Sequence, residues 1–85
     1  MDELMLDGNA VAGLLEHVFG VDATFASSTC AGCGAVEPLG AVRVFRSAGV
    51  VMRCAHCGDV LMTIVASSTE TWIQPTGLRS LALRV

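Results

Sequence analysis

Cys30-Ala31-Gly32-Cys33-Gly34 and Cys54-Ala55-His56-Cys57-Gly58, separated by twenty residues, hold all four cysteines of this chain. Two thiolates this close in a tight turn can grip one ion while backbone N–H groups of the turn point at the sulfurs. Glycine suits the exit from such a turn, where the chain often needs positive φ. The C-x2-C, twenty residues, C-x2-C spacing lies within the range of zinc sites. A hairpin between the pairs would bring the loops face to face and complete a tetrahedral four-sulfur site. Cys30, Cys33, Cys54 and Cys57 are therefore the expected ligands of one ion. Two disulfides would need an oxidising compartment, to which nothing in the sequence points. A thioredoxin-like redox centre would need one reactive pair near a βαβ pattern, and that pattern is missing.

The chain is 85 residues long, room for a single domain over residues 1–85. Chains of this size are often stapled by metal or disulfide. Yet 53% of the residues are hydrophobic and the mean hydropathy is +0.64. A small core cannot absorb all of that, so apolar surface is expected to be exposed or covered by a partner. Five Arg, no Lys and eight acids give a formal charge of −3, a poor basis for binding phosphates. No run approaches the roughly 20 apolar residues of a membrane span. The acidic start, Met1-Asp2-Glu3, is unlike a secretory signal. A cytoplasmic protein with reduced thiols is expected, with no membrane contact.

Apolar pairs at Ala10/Val11, Leu14/Leu15 and Val18/Phe19 form one stripe of a helix over Asn9 to Phe19. Asp7 or Asn9 can cap its start and Gly20 its end. Gly13 weakens it, so the helix is expected to depend on docking, on the sheet or on another chain. Leu4 and Leu6 add to the apolar surplus there. Ala23 to Ser28 leads extended into the first cysteine pair. Strands are predicted at Ala41 to Arg46, Val50 to Cys54, Val60 to Ala66, Thr71 to Ile73 and Leu78 to Leu83, with turns at 67–70 and 75–77. The fold class is a small α+β: a helical segment over residues 1–22, then an antiparallel sheet of three to five strands over 23–85.

Twin CxxCG loops flanking a β-hairpin resemble the zinc-ribbon fold group over Cys30 to about Ala66. Leu6-Asp7-Gly8-Asn9-Ala10 before a short helix, then the cysteine loops, then a late strand with Trp72, resemble a family of small bacterial zinc-ribbon proteins of unknown function. The resemblance implies a fold and a metal, and no activity. CxxCG loops also resemble those of rubredoxins, which hold one iron and transfer one electron. Rubredoxins, however, are smaller and build their core from several aromatics. Three Phe, one Trp, no Tyr and an added helix favour zinc over iron.

A three-residue loop Ser47-Ala48-Gly49 would pair Arg46 with Val50, Phe45 with Val51, Val44 with Met52 and Arg43 with Arg53. Val42, Val44 and Met52 then face the core, and Arg43, Phe45, Val51 and Arg53 the other side. Two arginines directly opposite each other need compensation, from Glu37, Asp59 or Glu70, or else from outside, by an acidic partner protein or a few phosphates. Arg and aromatic residues are enriched in binding hot spots, so this face is the candidate partner surface. Met52 and Met62 are expected in the core. Trp72 is expected in the core or covering the sheet, with an interface anchor as the alternative. His56 reads as a solvent-facing loop residue, and His17 as a favourable cation at the helix end.

A closed four-cysteine zinc site offers no open position for substrate, and no catalytic constellation accompanies it. The expected function is non-enzymatic: an accessory or adaptor module whose zinc supports a surface for a protein partner or a second copy. The alternative is a rubredoxin-like iron electron carrier serving an oxidoreductase. A third reading, a nucleic-acid-binding zinc ribbon in transcription, is disfavoured by the charge.

Overall fold

The computed structural model describes residues 5–46 and 48–83, apart from the side chains of Met5 and Leu6. Met1 to Leu4 and Ser47, on which some of the readings above fall, lie outside the described residues. The fold is α+β. Strand β1 (Met5–Asp7) runs into a 3-10 turn (Gly8–Val11) and then helix α1 (Ala12–Phe19). Among the described residues seven strands follow: β2 (Ser27–Cys30), β3 (Val36–Pro38), β4 (Arg43–Arg46), β5 (Val50–Arg53), β6 (Val60–Ala66), β7 (Thr71–Gln74) and β8 (Leu78–Ala82).

The caps fall where the sequence places them. The Asp7 carboxylate accepts from the Asn9 N–H at 3.1 Å. Gly20, in the left-handed region at φ 77°, donates to the Glu16 carbonyl, closing the helix end. The expected helix begins as 3-10 rather than α, and residues 1–22 also supply a strand. Of the apolar stripe, Val11 and Leu15 are buried, Leu14, Val18 and Phe19 are partly buried, and Ala10 is exposed. Val11 and Leu15 belong to the same core cluster as Val44, Met52, Leu61, Met62 and Ile64. The helix thus docks on its own chain.

The strands form two antiparallel sheets, where the sequence suggested one. The larger has the order β1-β4-β5-β6-β7 and the smaller β3-β2-β8. The β4–β5 register is the predicted one: Arg43 faces Arg53, Val44 faces Met52, Phe45 faces Val51 and Arg46 faces Val50. Val42, Val44, Met52 and Met62 are buried as expected. Of the stretch expected to run extended into the first cysteine, residues 23–26 instead form a turn closed by the Ala26 N–H on the Ala23 carbonyl at 3.0 Å, and strand β2 begins only at Ser27 and pairs with β3 and β8. The last predicted strand therefore leaves the main sheet. The Pro75–Gly77 turn makes that crossing. Gly77 donates to the Leu61 carbonyl at 3.0 Å and accepts from the Ala31 N–H at 2.9 Å. A Cβ at Gly77 would run into the Val60 carbonyl, so only glycine fits this junction.

Trp72 is not in the core but on the outer face of the sheet. It is 57% exposed on the edge strand β7. The register opposes it to Val65 while Ile73 opposes the buried Ile64. Strand alternation therefore turns Trp72 away from the core.

Candidate metal centre

Each CxxCG loop is the turn of a two-stranded unit, and the two units lie in different sheets. Cys30 ends β2, whose loop returns as β3. Cys54 follows β5, whose loop returns as β6. Their backbones repeat each other. Cys30 N–H donates to the Ala35 carbonyl at 2.9 Å and Gly34 N–H to the Cys30 carbonyl at 2.9 Å. In the second loop Cys54 donates to Asp59 at 2.8 Å and Gly58 to Cys54 at 3.0 Å. Gly34 and Gly58 have φ of 79° and 81°, the positive values their sequence position suggested. Sheet pairing fixes both ends of each loop, so the thiols are aimed by hydrogen-bonded backbone.

All four sulfurs lie within 4.8 Å of one another. Cys30 Sγ is 3.6 Å from Cys57 Sγ, and Cys33 Sγ is 3.7 Å from Cys54 Sγ. Cys30 and Cys54 are buried, Cys33 and Cys57 exposed. The His56 N–H points at Cys54 Sγ from 3.4 Å. The donor set suits a cation for an electrostatic reason. Backbone N–H groups, that of Cys33 above all and then Gly32, outweigh burial and lower the Cys30 thiol to about 7. At Cys57 the Asp59 N–H pulls the other way, but burial and the three neighbouring sulfurs push the thiol up to about 12. Cys33 is raised as well: burial and the sulfurs of Cys54 and Cys30 outweigh the Ala35 N–H. Four thiolates this close need a positive charge among them. The cluster is thus positioned to bind a metal ion, with these four residues as the ligands available to it.

Two side chains link the loops around this cluster. His56 Nε2 is hydrogen-bonded to a Glu37 carboxylate oxygen, so His56 is exposed but held. Asp59, leaving the second loop, lies against the first, where a Cβ on Gly32 would meet its carboxylate. Sequence reasoning missed both contacts, because the loops belong to different sheets. The one available signal was that Gly32 and His56 occupy the same place in their loops.

Arg43, Phe45, Val51 and Arg53 share the outer face of the larger sheet, and Val65 and Trp72 extend it toward β7. Glu37 binds His56, and Arg53 instead donates to the Gly58 carbonyl at 2.9 Å, its guanidinium 5.8 Å from the Phe45 ring centre. The acid that does sit beside Arg43 in the sheet is Asp7, its register partner on β1. That strand was not foreseen. Among the described residues no helix is long and apolar enough to cross a membrane.

Fold and site together define a small α+β protein with a four-cysteine cluster able to bind a metal. Residues 1–85 match a family described as a family of unknown function (DUF6510), and the chain belongs to it. No curated protein and no solved structure matches the chain.

Proposed function

We propose that the chain is a non-enzymatic zinc-ribbon module, in which one zinc on Cys30, Cys33, Cys54 and Cys57 locks the smaller sheet to the larger. The observation that carries this is the convergence of four sulfurs, two from each sheet, within 4.8 Å. A four-sulfur tetrahedral site suits zinc or iron, and zinc bound by four cysteines keeps no position for a substrate. The module is proposed to work in the cytoplasm, where the thiols stay reduced.

The zinc then holds a binding surface: the open sheet face of Phe45, Val51, Val65 and Trp72, with Arg43 and Arg53 at one end. The proposed occupant is a protein partner with an acidic rim around an apolar centre, complementary to that arrangement. Charge reversal by Arg43→Glu should abolish binding without loss of zinc. Light scattering on the pure protein separates this from a second copy on the same face.

Metal content and visible spectrum, on protein made under balanced zinc and iron supply, test the metal. One zinc per chain and no colour is the expected result. One iron per chain, with a red chromophore that bleaches reversibly on reduction, would overturn it in favour of an electron carrier.

A further inference from the structure

The cluster pairs the sulfur of each exposed cysteine with that of a buried cysteine from the other loop. Cys57 is exposed and its neighbour at 3.6 Å, Cys30, is buried; Cys33 is exposed and its neighbour at 3.7 Å, Cys54, is buried. A metal-bound thiolate remains a nucleophile, and oxidants select cysteines that are ionised and accessible. A peroxide therefore meets Cys33 and Cys57 first. The thiol best placed to resolve the product lies in the opposite loop, on the other sheet. We propose that the four-cysteine centre is an oxidation site for peroxides, which release the zinc and leave the disulfides Cys30–Cys57 and Cys33–Cys54 in its place. This rests on the zinc reading above.

The chemistry balances with peroxide as the only added oxidant. The Cys57 thiolate attacks one peroxide oxygen, giving a sulfenic acid and hydroxide. The Cys30 thiolate then attacks that sulfur, forming the disulfide and expelling a second hydroxide. Two thiolates have lost two electrons and the peroxide is reduced to the equivalent of two waters. A second peroxide does the same for Cys33 and Cys54, and the ion leaves with no thiolate to hold it. Because both bonds run between loops, the sheets stay joined after the metal has gone. Disulfides within each loop would leave them unjoined.

Zinc-loaded protein is treated with hydrogen peroxide while a chromogenic chelator reports free zinc, and the product is digested with trypsin without reduction. Cleavage after Arg43 and Arg53 leaves both first-loop cysteines in one peptide and both second-loop cysteines in another. The expected result is one zinc released per two peroxides, with the two peptides covalently linked. The oxidised, zinc-free protein should also keep its cooperative melt, while the reduced, chelator-stripped protein loses it. Zinc retained under peroxide, or two peptides running separately, overturns the proposal. Protein isolated without any zinc would instead refute the zinc reading itself, so the two failures are distinguishable.

Discussion

The two cysteine loops have nearly the same backbone and different surroundings. Both close with the same pair of backbone hydrogen bonds and leave through a left-handed glycine at φ near 80°. They differ at their third residue. Gly32 is pressed by the Asp59 carboxylate, whereas His56 reaches out to Glu37. What a cysteine loop must do for a metal is thus written in its backbone. The third position is where each loop answers to the other sheet.

Loss of a ligand tests the sameness most severely. A structural zinc contributes on the order of 10 kcal/mol to folding in small domains. Cys54→Ser and Cys33→Ser should each abolish stoichiometric zinc and the cooperative melt, as read by metal analysis and thermal denaturation. Retention of zinc by Cys33→Ser but not by Cys57→Ser, the matching exposed cysteine of the second loop, would make the first loop the weaker half.

Proton release separates the loops next. At pH 8 the metal-free protein holds protons on Cys57, raised to about 12, and on Cys33, raised above its ordinary value. Zinc must displace both, so affinity rises with pH. Cys30, lowered to about 7, is largely ionised at pH 8 and adds its proton to the exchange only below that pKa. The fall in affinity should therefore steepen as pH drops through 7. Calorimetry in buffers of different ionisation enthalpy measures the released protons, and buffer-independent heats at pH 8 would contradict the assignment.

The backbone comparison predicts smaller and matched effects. Gly34 and Gly58 have open space where a Cβ would go, so substitution meets only the left-handed conformation. That costs about 1–2 kcal/mol for a residue with a Cβ. Gly34→Ala and Gly58→Ala should lower the zinc-loaded melting temperature by similar amounts, about 4–8 °C per kcal/mol at this chain length. The Asn variants should lose less, since Asn tolerates this region better. A large loss at one glycine and none at the other would mean that the loops are not equivalent.

Legibility in the sequence divides along the same line. The four-cysteine cluster and the β4–β5 register could be read because CxxCG spacing and runs such as Val42-Arg43-Val44-Phe45 are local signals. The smaller sheet could not. Ser27-Ser28-Thr29 has no apolar alternation; Ser28 is buried because its hydroxyl donates to the Glu37 carbonyl at 2.8 Å. Its partner β8 lies about fifty residues away, a pairing that no local pattern encodes. Whether Trp72 lies in the core or on the sheet face could not be read, because hydrophobicity alone does not say which face of an edge strand a residue occupies. The contacts of Glu37 with His56 and of Asp59 with Gly32 went unread for the same reason, since they join that second sheet to the first.

The third positions carry the smallest effects and the most particular test. His56–Glu37 is an exposed pair, so His56→Ala should cost no more than about 1 kcal/mol. Gly32→Ala sets a methyl group against a carboxylate that can rotate away, and its cost should also stay near or below about 1 kcal/mol. The causes differ, and a double-mutant cycle exposes them. The Gly32→Ala cost should vanish in an Asp59→Ala background, whereas the His56→Ala cost should persist there and vanish with Glu37→Gln. The sharper version gives the first loop the residue of the second. Gly32→His should be poorly tolerated with Asp59 in place and accepted beside Asp59→Ala, because the backbone that aims the thiols is common to both loops. If Gly32→His fails in both backgrounds, the obstacle is the first loop's own geometry, and the two loops share less than their hydrogen bonds suggest.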